Sequence, residues 1–255
     1  VPSEKGMSIV REPAPLFVEL WQVFSLRDFW LVNGHFVLYL TVLNTFDAIE
    51  GALLVSYGYS EAVSSWTAIA FCISSILSTA IESAVIKHPA HYRRMLISIN
   101  GLLAVSCLLG LWCLRARRPE AWFVGVVGIM GFCTPAWGCS LEMGSEVCYP
   151  AREATVSSLL EAFGSVASVG GIVLAQWLID TGCAAIVLVA MAAGSLSGGV
   201  ALMGLSGRLH RHEAEEAQQE LFEVDSPSMA SLRVDGEVGA PKHRRAWHLE
   251  EPQCV

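Results

Sequence analysis

Between residues 120 and 176 the chain carries two long, mainly apolar segments joined by a short polar turn, with carboxylates at Glu142, Glu146, Glu153 and Glu161 spaced through the joint. Each segment runs to about 20 residues or more, and a helix rising about 1.5 Å per residue then crosses the roughly 30 Å hydrocarbon core of a bilayer. A water-soluble fold would need an unusually large core to hide both. The composition agrees: 53% of the residues are apolar and 16% charged, where globular chains carry about 25% charged. The net charge of -8 comes largely from the two flanks and so describes the tails, not a substrate.

Six spans are expected at about 29–56, 62–86, 95–114, 121–141, 156–179 and 184–205. Short connections make sequence neighbours antiparallel neighbours in space. Of the 16 Lys and Arg, all but Arg115, Arg117 and Arg118 fall on one side of this topology, so the positive-inside rule places both termini in the cytoplasm, with the RARR cluster as a local violation. Ahead of the spans, residues 1–28 read as a cytoplasmic linker, broken by Pro2, Pro13 and Pro15. It ends in a short amphipathic approach that offers Leu16, Phe17, Leu20, Trp21, Val23 and Phe24 to the interface. Residues 207–255 are rich in Glu, Gly, Pro and Ser and are expected to be a cytoplasmic, disordered tail. No secretory leader is visible at the start, and a chain beginning at Val1 reads as a fragment or a processed product.

Chemical motifs are few. The eight cysteines show no CxxC or zinc-ligand spacing and suit small packing residues. His210, His212 and His243 lie in the tail without repeated ligand spacing, so no metal or other cofactor is expected. Phosphate-binding loops, HExxH and GxSxG are all missing, which argues against an enzyme and against transport driven by ATP hydrolysis in this chain. Nothing marks a nucleic-acid partner.

Within the spans, Gly125, Gly128 and Gly131, then Ser165, Ser168, Gly170 and Gly171, then 194–199, give the last three helices narrow faces. These suit close helix packing and also suit the sliding or rocking of a transporter. Asp47, Glu50, Glu82 and Glu161 are costly in hydrocarbon and should face a cavity, a partner or the interface. Asp47 and Glu50 lie three apart, on one side of the first span. Asp47, Glu50 and Glu161 are the candidate lining of a polar path, with Asn44, Trp137 and Ser165 as weaker members. An aromatic beside an acidic cavity suits an organic cation. Haem could stack on the same aromatics, but His35, the one histidine well inside a span, lacks an axial-ligand partner and suits packing or a local hydrogen bond.

The segment 128–164 resembles the corresponding region of the feline leukaemia virus subgroup C receptor-related transporters, a branch of the major facilitator superfamily. The matching elements are Gly128, Met130, Gly131 and Phe132, then Glu142, Glu146, Tyr149, Pro150 and Glu153, then the run 157–160. Residues 43–45 are similar to that family's seventh helix and 176–182 to the end of its eleventh. The resemblance implies an all-α membrane protein that is the six-helix C-terminal half of a twelve-helix transporter, with two three-helix units related by an inverted repeat. It implies a missing N-terminal half and substrates such as choline, ethanolamine or haem. Ser165 aligns where choline-transporting members carry glutamine, and Ile49 falls near their tyrosine.

At the cytoplasmic turn, Pro150 is expected to stop one helix and Glu153 to favour the start of the next. Glu146, Tyr149, Pro150, Arg152 and Glu153, with Arg93 and Arg94 of the earlier basic turn, form a candidate gate in which acids pair with bases when the inward side closes. Simple capping and solvation is the alternative. The expected function is secondary transport of a choline-like or ethanolamine-like amine or of haem, in the plasma membrane. A non-transporting membrane receptor or scaffold built from six helices is the second reading.

Overall fold

The computed structural model describes residues 15–85 and 91–205. The expected tail from 207, most of the N-terminal linker and the basic turn holding Lys87 lie outside the described residues. Among the described residues eight helices are formed: α1 (Leu16–Ser25), α2 (Arg27–Ser56), α3 (Glu61–Val85), α4 (Tyr92–Arg115), α5 (Glu120–Gly131), α6 (Ala136–Val147), α7 (Glu153–Asp180) and α8 (Ala184–Met203). Within these residues six helical spans are long and apolar enough to cross a bilayer, α5 and α6 together making one of them. The protein is an all-α, multi-pass membrane-spanning bundle.

The fourth span corrects the sequence expectation of 121–141. It reaches from Glu120 to Val147 and is broken between Gly131 and Ala136. Pro135 causes the break, because it has no N–H to give the Gly131 carbonyl and its ring crowds that carbonyl. Gly131 O accepts instead from the Thr134 backbone N–H at 3.2 Å and from Thr134 Oγ1 at 2.9 Å. From α2, the Tyr39 hydroxyl reaches the carbonyls of Cys133 and Thr134 at 3.0 and 3.1 Å. From α3, Ser75 Oγ lies 2.7 Å from Thr134 Oγ1. Freed backbone groups inside a membrane must find such partners, so the break is held by its neighbours.

Helix ends follow local chemistry. Glu120 and Glu153 lie in the first turns of α5 and α7, where a carboxylate favours the orphan N–H groups. The distal ends of α2, α4 and α7 share one motif: the N–H groups of Tyr59, Arg118 and Cys183 return to the carbonyls of Leu54, Cys113 and Leu178. This closure requires a left-handed residue, ordinarily glycine. Gly58 and Gly182 fill the role in α2 and α7, whereas α4 uses Arg117 at φ 45°.

The core joins α2 to α7 and α8, α4 to α8, and α3 to α5. Phe29, Phe36, Tyr39, Leu103, Phe123 and Leu160 are among its fully enclosed large side chains. Gly131 lets α5 touch α3: a Cβ there would stand 2.5 Å from Phe71 O. Coverage is uneven. In the most apolar stretches of α3 and α7 only 11% and 17% is buried, against 44% or more in the other spans. These two helices therefore present large faces to whatever surrounds the bundle.

Candidate functional site

α2, α6 and α7 carry most of the candidate path residues on an uncovered side of the bundle. Trp137, on the first turn of α6 after the break, is half exposed and donates its indole N–H to the Glu161 carboxylate of α7. Ser165 and Ser168 follow Glu161 at four and seven residues, which keeps them in one stripe along α7. Ser168 is met from α2 by Asn44, whose Nδ2 donates to Ser168 Oγ at 3.1 Å, and Ser168 in turn donates to Gly164 O at 2.8 Å. Asn44, Asp47 and Ser165 are exposed, and Glu161 is half-buried. The arrangement offers carboxylates, an amide, hydroxyls and an indole on a surface that lipid solvates poorly.

Glu50 belongs to a different environment although it lies three residues beyond Asp47. It is buried against α3, accepting from Thr67 Oγ1 and, at 3.1 Å, from Ser64 Oγ. Three residues correspond to a 60° turn of the helix surface, and the edge of the α2–α3 contact falls within that angle.

A second acidic group surrounds a cavity of about 370 Å³ at the end holding the α6–α7 joint, lined by Glu82, Glu142 and Glu153 with Thr79, Ser83 and Tyr92. Glu82 also accepts a bond from the Cys139 thiol. The structure thus brings Glu82 to the joint, leaves Glu161 on the neighbouring face and buries Glu146. Tyr149 and Pro150 stay exposed at the turn, and Glu153 opens α7. Two of the basic gate candidates reach other elements of the bundle. Arg93 bonds the carbonyls of Leu202 and Met203 at 3.0 and 2.7 Å, closing the end of α8. Arg152 meets Glu19 of α1 through its guanidinium at 3.5 Å and through its backbone N–H. Arg94 is exposed.

A buried chain that the sequence reading missed runs through the centre of the bundle. Asn100 of α4 donates Nδ2–H to His35 Nδ1 at 3.1 Å, and His35 Nε2 lies 3.0 Å from Ser140 Oγ of α6, which donates to Ala136 O at 2.5 Å. The direction is set by Leu96 O, 2.7 Å from the same Asn100 nitrogen: a flipped amide would press oxygen against oxygen. Nδ1 of His35 is therefore an acceptor, its proton sits on Nε2, and the ring is neutral. His35, Asn100 and Ser140 are all fully enclosed. Glu19, Tyr39 and this chain were each visible only as single polar residues in apolar runs, and their partners lie 65 to 133 positions away.

Among the described residues, no group of three or more His, Cys, Asp and Glu is placed to hold a metal ion. No protein-family model matches the chain, and no curated protein matches it significantly.

Proposed function

We propose that this chain is the C-terminal six-helix half of a secondary transporter of the major facilitator type, moving a small organic solute, and that Trp137, Glu161, Asn44, Ser165 and Asp47 line its path. The observation that carries the reading is the Trp137–Glu161 pair beside a broken span, on a side of the bundle that the other helices leave open. A carboxylate and an indole at that depth call for water or solute on one side and for a second helical body on the other. The low coverage of α3 and α7 fits such a body. The Glu82–Glu142–Glu153 cavity then lies on the cytoplasmic route, with Glu153 in its lining, and Glu146, Tyr149, Pro150, Arg152, Arg93 and Arg94 are the further gate residues of this reading.

The local chemistry favours a cationic amine over haem. Carboxylates next to an exposed indole attract a cation by charge and by the ring face. His35 is a poor haem ligand because both ring nitrogens are engaged in the enclosed chain. The plasma membrane is the proposed location.

The test is uptake and efflux of choline, ethanolamine and haem by the full-length protein in proteoliposomes, compared with Glu161→Gln and Asp47→Asn at matched insertion. Loss of amine flux in Glu161→Gln supports the reading. Unchanged flux of every solute in both variants removes the site, and absence of any flux in the wild type leaves the receptor or scaffold reading in its place.

A further inference from the structure

The corner joining α4 to α5 sets three arginines against one carboxylate of its own, Glu120, which accepts from Ser60 Oγ of the neighbouring turn at 3.3 Å, so an excess of positive charge remains. Arg115 ends α4, Arg117 and Arg118 form the turn, and all three are exposed. Among the described residues, none of them makes an ion pair with a carboxylate. The turn is nonetheless well built. Tyr59, from the neighbouring α2–α3 turn, donates its hydroxyl toward Arg118 O at 2.8 Å and Cys113 O at 3.2 Å. The Arg118 guanidinium lies 4.5 Å from the centre of the Trp112 ring, and Trp112 packs edge-on to Trp122 at 6.3 Å. Both indoles remain substantially exposed.

Depth identifies the surroundings. α4 has 24 residues, about 36 Å of helix, so a span centred in the bilayer places its last turn at the headgroups. Two uncovered indoles at that level are the usual interfacial anchor. Three guanidinium groups lie just beyond them, at the depth of lipid phosphate. The backbone adds a separate sign. Arg117 occupies the left-handed position that glycine fills at the equivalent ends of α2 and α7, a conformation that disfavours any side chain. An arginine is carried where glycine suits the chain better.

We propose that this corner is a docking site for an anionic phospholipid, its phosphate held by Arg115, Arg117 and Arg118 and its upper chain region packed on Trp112 and Trp122. The same occupant accounts for the RARR cluster as a local exception to the charge rule: lipid phosphate neutralises it at the distal interface. The assignment does not depend on transport.

Native mass spectrometry of the full-length protein, released from mild detergent with equal phosphatidylglycerol and phosphatidylcholine of matched chains, tests it. Each engaged arginine is expected to contribute about fivefold to the preference for the anionic lipid. Arg117→Gly should lower the preference by about that factor while leaving thermal stability equal or higher, since glycine suits the turn. The triple variant R115Q/R117Q/R118Q should abolish it. Soluble glycerol phosphate should not displace the bound lipid, because it lacks the part that packs on the indoles. Equal retention of the two lipids by the wild type, an unchanged preference in Arg117→Gly, or displacement by the soluble headgroup would each overturn the proposal.

Discussion

Helix α2 carries two polar clusters that are treated in opposite ways. Near its first half His35 joins Asn100 and Ser140 in a chain fully enclosed by α2, α4 and α6. Later on the same helix, Asn44 and Asp47 stay exposed, Asn44 bonded to Ser168 of α7. The enclosed chain fixes the ring's tautomer and leaves no room for a solute, so its free energy goes into holding helices together. The open cluster keeps unused hydrogen-bonding capacity on the outside of the bundle. Burial among mutual hydrogen bonds, with Asn100 Oδ1 the one atom of the chain left without a partner among the described residues, suits a structural role, and exposure of costly groups at membrane depth is what the proposed path requires.

The first way to break this comparison is His35→Leu. The substitution strands one Asn100 N–H in a dry core, which costs about 1–3 kcal/mol. We expect a clearly lower melting temperature in detergent, with flux per folded molecule retained. A variant as stable as wild type but dead in transport would exchange the roles of the two clusters.

Glu161→Gln probes the open side. Glutamine preserves an acceptor for the Trp137 N–H but removes the charge, and a half-exposed pair contributes little to stability. Amine flux should fall about tenfold, equivalent to about 1.4 kcal/mol, with little change in melting. A large loss of stability and an unchanged flux would make this pair another structural contact.

How much of this was legible beforehand depends on range. Span number follows from apolar runs, which are local properties, and a short helix does precede the spans, although Val23, expected at the interface, is fully buried in the bundle. Glu153 at the start of α7 follows from its neighbour Pro150, again local. The break in the fourth span had a local signal too, Pro135 inside an apolar run, and its meaning appears only once Tyr39 and Ser75 are seen to hold the loosened turn. The fates of Asp47 and Glu50 were not legible. Helical spacing places both on one side of α2, but only the line along which α3 packs decides that one is exposed and the other is bonded by Ser64 and Thr67. The Arg93 contact to the end of α8 spans 109 and 110 residues and likewise had no local trace.

The contact between α1 and the α6–α7 turn sharpens the comparison at a site that mixes both characters. Glu19 is buried, while the side chain of Arg152 is 53% exposed. Arg152→Ala leaves the backbone N–H on Glu19 and removes a half-exposed guanidinium, so the loss should be about 0.5–1 kcal/mol. Proteolysis within α1 should become modestly faster, with the spans intact. Cys148, just outside the fourth span, reports whether the turn itself opens: burial pushes its thiol up to about 12. Its alkylation should be slow at pH 8 and rise about tenfold per pH unit, since thiolate is the reacting form. Ready labelling at pH 8 would show that the turn is open.

The smallest effect is expected at Glu50, the acid that the sequence grouped with Asp47. Ser64 and Thr67 both donate to the same carboxylate oxygen, Oε1. A glutamine side chain keeps an oxygen there and can accept both bonds, so the α2–α3 contact loses nothing that it uses in this arrangement. Glu50→Gln should therefore shift stability by less than about 0.5 kcal/mol and leave flux unchanged, whereas Glu50→Leu removes the acceptor of the half-buried Ser64 hydroxyl, while Thr67 Oγ1 keeps the carbonyls of Val63 and Ser64, and should cost about 1 kcal/mol. Asp47→Asn, three residues earlier on the open face, should reduce amine flux without a comparable change in melting. Equal flux losses in Glu50→Gln and Asp47→Asn would show that the carboxylate of Glu50 is used in its charged form during transport, and the line drawn between the enclosed and open sides of α2 would have to move by one turn.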